Sequence, residues 1–284
     1  MGFYQVADLN AAQCQFLTDT ALKASGVNVD PDKRDFLHLR ISRRLKALGL
    51  DSFDDYIGIL KREPGGPETR HLVEALTTHT TSFFREGHQY EWFEQEGIKR
   101  LLTSQPESAG KLTVWSAACS TGVELWSAGM VLMDRQRQAF DLRDFALIGT
   151  DISQKILKTA HSATYSTNEI TGVSPLRKQR YLMQSKRTFG ASDQHYHRVI
   201  PELRQKARFE QINLSALGSA RPFTVDVAFL RNVLIYFGEE MQKQVLDGVI
   251  SRLRPGGILF TGHSEAVPKR DDLDTLGPSI YEKV

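Results

Sequence analysis

The chain has 284 residues, a formal net charge of +2 and 40% hydrophobic residues. That length can bury a large core and points to two domains, the composition suits a globular chain rather than a disordered one, and the small charge gives no argument for nucleic acid as a partner. Cys14 and Cys119 make no metal pattern, no run of about 18 apolar residues suggests a membrane span, and MGFYQVADLN, with Ala7 where a myristoylation signal wants a hydroxyl residue, reads as neither signal peptide nor lipid anchor, so a reduced, cytoplasmic protein is expected.

The first part of the chain reads as helices. Asn10 is placed to cap a helix running to about Ala24. Asp30-Pro31 is expected to open the next, with Asp30 as cap and Pro31 in the first turn, and Gly49 to end it. Leu37, Ile41, Leu45 and Leu48 form its apolar stripe, and Lys33, Arg40, Arg43 and Arg44 an adjacent basic arc. That arc reads either as a solvated face or as a docking surface for an acidic partner. Asp51–Arg62 and Glu68–Thr78 read as two further helices, separated by the turn EPGGPE. TTHTTSFFRE at 77–86 is too rich in hydroxyl side chains for a helix interior and reads as a loop that positions polar groups. Glu91–Leu102 returns to helix, and Thr103–Gly110 reads as a surface loop.

From Lys111 the pattern alternates. Leu112, Val114 and Trp115 suit a buried strand, Ser116–Gly122 is a turn of small residues, and Glu124, Leu125, Ala128 and Val131 recur at helical spacing. A strand, tight turn and helix of this kind leaves free N–H groups beside the carboxyl end of a parallel strand, where ligands of open α/β sheets bind. Small side chains there, Gly122 among them, allow close approach to the backbone. A second strand, Phe145–Thr150, ends in Asp151, an acid at the position that can accept hydrogen bonds from both ribose hydroxyls of an adenosine. Asp151 could equally cap the helix that begins at Ser153. Residues 165 to 205 break the alternation and suggest an inserted hairpin around Gly190. The strands Ala207–Leu214 and Asp226–Leu230 follow, the latter with Arg231 and Asn232 at its end and Tyr236 just beyond. The helix Glu239–Leu253, a sharp turn at Arg254–Gly257, the strand Ile258–Thr261, a polar loop Gly262–Glu265 and a last strand Ile280–Val284 complete the chain.

TTHTTSFFRE (77–86), VWSAACSTGVE (114–124), GTDIS (149–153), FLRNVLIYF (229–237) and LRPGGILFTGHSEAV (253–267) stand in the order and spacing of CheR-type chemotaxis receptor methyltransferases, which the chain resembles over nearly its whole length. The resemblance implies an α/β, class I S-adenosylmethionine-dependent methyltransferase fold with a small antiparallel β-subdomain, preceded by an all-helical N-terminal domain. It sets the helical domain at 1–90, the methyltransferase domain at 91–284 and the inserted subdomain at 180–205. It implies methyl transfer from S-adenosylmethionine to glutamate side chains of chemoreceptors, with S-adenosylhomocysteine as product. The residues that match the family's cofactor pocket are His79, Thr81, Arg85, Gly122, Glu124, Asp151, Asn213, Leu214, Arg231 and Asn232. Tyr236 and Arg85 match groups beside the reacting centre. The basic helix with Arg40, Arg43 and Arg44 matches the surface presented to acidic receptor helices, and the segment near 180–200 matches the subdomain that grips a receptor's C-terminal peptide in some members. Two departures stand out: His79 replaces the family's usual Asn, and Val123-Glu124-Leu125-Trp126 replaces two acids followed by Pro-Tyr. They leave a non-catalytic module that binds the adenosyl ligand as the alternative.

Overall fold

A computed structural model describes residues 8–104, 111–139, 141–186 and 195–284, which fall into two compact units. One runs to Thr78 and includes Ile235–Gln244; the other comprises His79–Leu234 and Val245–Val284.

In the first unit, α1 (Ala11–Ser25) begins at Asn10, whose side chain accepts from the Gln13 N–H at 2.9 Å while the Gln13 side chain accepts from the Asn10 N–H at 3.0 Å. This reciprocal cap satisfies two otherwise free helix donors. α2 (Arg34–Leu48) starts later than the Asp30-Pro31 reading. Asp30 Oδ1 instead accepts from the Asp32 N–H at 2.9 Å, a local turn that competes with helix entry. Gly49 ends α2 in the left-handed conformation. α3 (Phe53–Arg62) is capped by Ser52, and α4 (Pro67–Leu76) carries Pro67 in its first turn. Residues 235–244 join this unit because Val27 bridges Phe237 and the Asn28 N–H donates to the Tyr236 carbonyl at 2.7 Å.

The second unit begins at His79 rather than near 90. Phe83 explains the shift: it is 2% exposed and packs edge-on against Tyr165, so the loop before α5 (Gly87–Trp92) belongs to this core. The helix expected over 91–102 is α5, a wider π-turn at Phe93–Gly97, and α6 (Ile98–Ser104). The rest of the Thr103–Gly110 loop lies outside the described residues. Then come β1 (Lys111–Ser116), α7 (Val123–Gln138), β2 (Asp144–Asp151), α8 (Gln154–Ser162), β3 (Thr164–Ser166), α9 (Pro175–Tyr181), β4 (Leu182–Gln184), β5 (Tyr196–Val199), α10 (Pro201–Arg204), β6 (Ala207–Gln211), β7 (Val225–Leu230), α11 (Glu239–Arg252), β8 (Leu253–Thr261), β9 (Leu273–Gly277) and β10 (Ile280–Lys283).

The main sheet has the order β6-β2-β1-β7-β8-β10-β9, parallel from β6 to β8, with β10 antiparallel to both its neighbours. Chain order reverses between β1 and β7, so the crevice at their carboxyl ends is where an open α/β sheet receives a ligand. Phe229 stacks on Phe260 across β7 and β8 at 4.7 Å, and Tyr90 stacks on Phe229 at 5.7 Å, which fixes the loop after Phe83 against the sheet. The expected turn at Arg254–Gly257 is a bulge within β8, where the pairing with β7 jumps from Leu253 to Ile258. β9, a short edge strand with Asp274 and Thr275 exposed, has no counterpart in the sequence reading.

The inserted element is a three-stranded antiparallel sheet, β3-β5-β4. It draws its edge strand β3 from before the 180–205 window, because a three-residue strand carries too little periodicity to be read. The hairpin tip at Gly190 lies outside the described residues. Asp134 of α7 anchors α9: it accepts from Tyr181 Oη at 2.5 Å, Arg177 Nε at 2.8 Å and Arg180 Nη1 at 3.1 Å.

Candidate active site

The carboxyl ends of β1, β2, β7 and β8 bring together Gly122, Glu124, Asp151, Arg231 and Asn232 of the residues singled out in the sequence. The turn after β1 is laced to both neighbouring strands: the Ala117 N–H donates to Phe229 O and the Cys119 N–H to Thr150 O, each at 2.8 Å. Ser120 (φ 50°) and Gly122 (φ 85°) take the left-handed conformation. A Cβ on Gly122 would stand 2.9 Å from Ala160 Cβ, so glycine is required both by φ and by the contact with α8.

Asp151 ends β2 and is 5% exposed. Its Oδ2 accepts from the Ser120 N–H at 2.9 Å and its Oδ1 from the Ser153 N–H at 3.0 Å. Ser153 itself caps α8, so Asp151 is not the cap. Burial pushes the Asp151 carboxyl above its usual range, against these two bonds. The Ile152 N–H and the nearby His79 also favour the ionised carboxylate, which can accept further hydrogen bonds.

Arg231, just past β7, is 5% exposed. Its Nη2 donates to the Arg85 carbonyl, its Nη1 lies 3.4 Å from Tyr90 Oη, and its guanidinium stands over the Tyr90 ring at 5.5 Å. Two carboxylates flank it: Glu86 Oε2 at 3.5 Å from Nη2 and Glu124 Oε2 at 3.6 Å from Nε. Glu124 stands in the first turn of α7, and its Oε1 accepts from Ser116 Oγ at 2.7 Å. Burial raises the Glu124 carboxyl; Glu86 and Glu265 push it the same way, while Arg231 and Ser116 oppose them. Arg231 Nε and Glu86 Oε2 are buried without a hydrogen-bond partner. Left-handed backbone recurs here at Phe84, Glu86 and Asn232 (φ 54°, 57° and 56°), a concentration of strain characteristic of functional sites.

The other candidates are spread around this core. The His79 carbonyl accepts from Ser120 Oγ at 3.0 Å, which ties the segment containing Thr81 to the turn after β1. The exposed Arg85 side chain donates to Thr80 O at 3.1 Å. Asn213 and Leu214 follow β6, where the Ile212 N–H donates to Asp151 O at 3.1 Å and Asn213 Oδ1 accepts from the Ser215 N–H at 3.1 Å. Tyr236 belongs to the N-terminal unit, with its hydroxyl 3.5 Å from Thr78 O. In that unit Arg44 leaves the basic arc: its Nε and Nη2 donate to Glu68 at 2.8 and 2.6 Å, because a carboxylate only 8% exposed requires a partner. Arg40 lies over the Phe36 ring at 5.2 Å, and Arg43 is exposed.

Glu86, Tyr90 and Glu265 were missed as site residues. Glu86 ends TTHTTSFFRE and Glu265 lies within LRPGGILFTGHSEAV, so membership of those motifs was their signal, while Tyr90, four residues past the first motif, had only its nearness to it.

The residues fit an adenosyl ligand: a buried acid stands at the end of β2, and charged atoms of both signs without hydrogen bonds lie beside the turn after β1. The description "CheR methyltransferase, SAM binding domain" matches residues 79–280, and "CheR methyltransferase, all-alpha domain" matches residues 12–77. The chain belongs to the CheR methyltransferase family. Its relatives include the chemotaxis protein methyltransferase of Klebsiella aerogenes, 32% identical over 96% of this chain and 90% of the relative. That of Salmonella typhimurium is 34% identical over 89% and 81%. Chemotaxis protein methyltransferase 2 of Pseudomonas aeruginosa is 34% identical over 94% and 91%. As a CheR methyltransferase, the chain binds S-adenosylmethionine and carries the class I fold with an all-helical N-terminal domain. Among the described residues, no helix is long and apolar enough to cross a membrane.

Proposed function

We propose that this CheR methyltransferase forms methyl esters on glutamate side chains of chemoreceptors in the cytoplasm, as part of chemotaxis. The relatives named for chemotaxis support this reading. The observation that carries it is the buried Arg231 guanidinium, flanked by Glu86 and Glu124, just past the carboxyl end of β7.

Bound S-adenosylmethionine supplies an electrophilic methyl group on a sulfonium. A glutamate carboxylate, with an ordinary pKa of about 4.3, is already ionised near neutral pH, so the chain has no proton to remove. Its work is alignment and exclusion of water. In this reading Asp151 holds the ribose, Asn213 and Leu214 bound the adenine, and Gly122 lets the cofactor approach the backbone. His79, Thr81, Glu124, Arg231 and Asn232 hold the methionine end. Arg85 organises the site, since a tight clamp on the substrate carboxylate would lower its nucleophilicity. Tyr236 orients that carboxylate by hydrogen bond. Arg40 and Arg43 supply the docking face for acidic receptor helices.

The test is transfer of tritiated methyl from S-adenosylmethionine to the cytoplasmic fragment of a chemoreceptor. Label released as methanol in base, and lost when the acceptor glutamates are replaced by alanine, is expected. Base-stable label would exclude an ester, and cofactor binding without transfer would make the chain a ligand-sensing module.

A further inference from the structure

Glu265 lies in the loop after β8 and is 4% exposed. Its carboxylate accepts three backbone N–H groups. Oε2 takes those of Asn232 at 2.6 Å and Gly262 at 2.8 Å, and Oε1 takes that of Leu234 at 2.7 Å. Its own carbonyl accepts from Thr261 Oγ1 at 3.1 Å. The loops after β7 and β8 are thereby drawn together on one side chain. Their approach is close: a Cβ on Gly262 would overlap Glu265 Oε2 and stand 2.7 Å from Asn232 Nδ2. An uncompensated carboxylate so deeply buried is strongly disfavoured, the more so near Glu86 and Glu124. Three charge-assisted bonds compensate it, each stronger than its neutral equivalent.

The residue these bonds restrain most is Asn232, held at φ 56°, a conformation a non-glycine residue adopts only when its surroundings impose it. Its side chain then points toward Glu86, with Nδ2 at 3.5 Å from Oε1, next to the Arg231 guanidinium. Glu265 reaches Asn232 through its backbone amide.

We propose that Glu265 is a positioning residue for methyl transfer: it holds Asn232 in the left-handed conformation and so sets where the Arg231 guanidinium and the Asn232 amide stand. The proposal rests on the reading of those two residues as cofactor contacts. A glutamine at 265 keeps the shape but has one acceptor oxygen, so at least one of the three N–H groups must face an NH2 group.

The experiment compares wild type with Glu265→Gln by calorimetry with S-adenosylhomocysteine, by kcat and KM for methyl transfer, by thermal melting and by the Asn232 amide proton resonance. We expect at least a tenfold loss in affinity and in kcat/KM from a chain that still unfolds cooperatively, with the Asn232 amide moving upfield as its charge-assisted bond is lost. A folded E265Q with affinity and kcat/KM within twofold of wild type overturns the proposal. If E265Q does not fold, Glu265→Asp, which keeps the charge but is too short to span all three amides, carries the same two expectations. Hydrogen exchange on the wild type is independent of any variant: joint protection of the Asn232, Leu234 and Gly262 amides is expected, and fast exchange at Asn232 overturns the clamp. A wild type that binds neither S-adenosylmethionine nor S-adenosylhomocysteine overturns the cofactor reading and this proposal with it; a binding wild type with an unaffected E265Q overturns this proposal alone.

Discussion

Asp151 Oδ2 accepts the Ser120 N–H at 2.9 Å, tying the acid that ends β2 to the left-handed turn that follows β1. The bond joins the turn to the acid that the proposed function assigns to the ribose, so a change at Asp151 would disturb both. Asp151→Asn turns one acceptor oxygen into an NH2 group opposite the N–H of either Ser120 or Ser153. Loss of a charge-assisted buried bond is worth about 1.5–3 kcal/mol, so binding of S-adenosylhomocysteine should weaken by roughly 10- to 150-fold. Titration calorimetry checks this, and an affinity equal to wild type would remove Asp151 from the pocket.

Cofactor binding should weaken as pH falls. Asp151 and Glu124 accept hydrogen bonds as carboxylates, and burial raises both above their ordinary values. Protonation therefore begins at higher pH than for an exposed aspartate, whose pKa is about 3.9. In the free protein the same shifts add stability below the unfolded-state values, and that stability is lost as pH rises through the folded-state values. Dissociation constants should rise as the pH is lowered toward acid unfolding. Affinity that stays level down to the pH of acid unfolding would show that neither carboxyl titrates on binding.

Arg231 balances two acids, so its removal should be severe. Arg231→Leu leaves Glu86 and Glu124 without their buried counter-charge and should destabilise the fold by about 3–5 kcal/mol. Arg231→Lys keeps the charge but loses the planar fork that reaches the Arg85 carbonyl and Tyr90 together. We expect it to fold, with turnover reduced by roughly 100-fold, the usual consequence of losing one preorganised donor. Chemical denaturation and initial rates measure the two effects separately, and a fully active Arg231→Lys would deny the guanidinium its role.

Tyr236→Phe should lower kcat by about 10- to 100-fold while leaving the dissociation constant for S-adenosylmethionine unchanged, because orientation of the acceptor is a property of the reacting complex. Equal loss in both parameters would assign the hydroxyl to cofactor binding instead.

The basic helix divides into two kinds of arginine. Arg44→Met removes the bidentate partner of Glu68 and should destabilise the N-terminal unit by about 1.5–3 kcal/mol. Burial pushes the Glu68 carboxyl up, but the Arg44 guanidinium, helped by Tyr56 and His71, outweighs it and leaves it below the usual range. That contribution is present above the unfolded-state pKa and fades as pH falls through the folded-state value, so the gap between wild type and Arg44→Met should shrink in acid. Arg43→Glu should leave melting unchanged and raise KM for receptor fragments, more so at low salt. A change in melting with no change in KM would return Arg43 to the plain solvated face.

Most of the fold was legible because its signals are local. The cap at Asn10, the stop at Gly49, the strand–turn–helix at Lys111–Gln138 and the helix start at Ser153 are each written within a few neighbouring residues. Local reading failed where the signal was short or contested. Asp30 formed its own turn instead of a cap, β3 and β9 were too short or too exposed to show a period, and the Pro-Gly-Gly turn was absorbed into β8 as a bulge.

The sequence by itself determined the alternation of β1, β2, β7 and β8 with their helices, the family and the place of Asp151 at the end of β2, since these follow from periodicity, capping and motif spacing. Only the tertiary structure decided which charges meet. Glu86 is drawn to Arg231, Glu265 to the amides of Asn232 and Leu234, and Glu68 takes Arg44 out of the basic face. It also decided that Ser120, Glu86 and Asn232, none of them glycine, stand in left-handed backbone. The reason is the same in both cases. A buried charge or a strained dihedral is tolerated only when distant parts of the chain supply the compensating bonds, and no local pattern records where those parts will be.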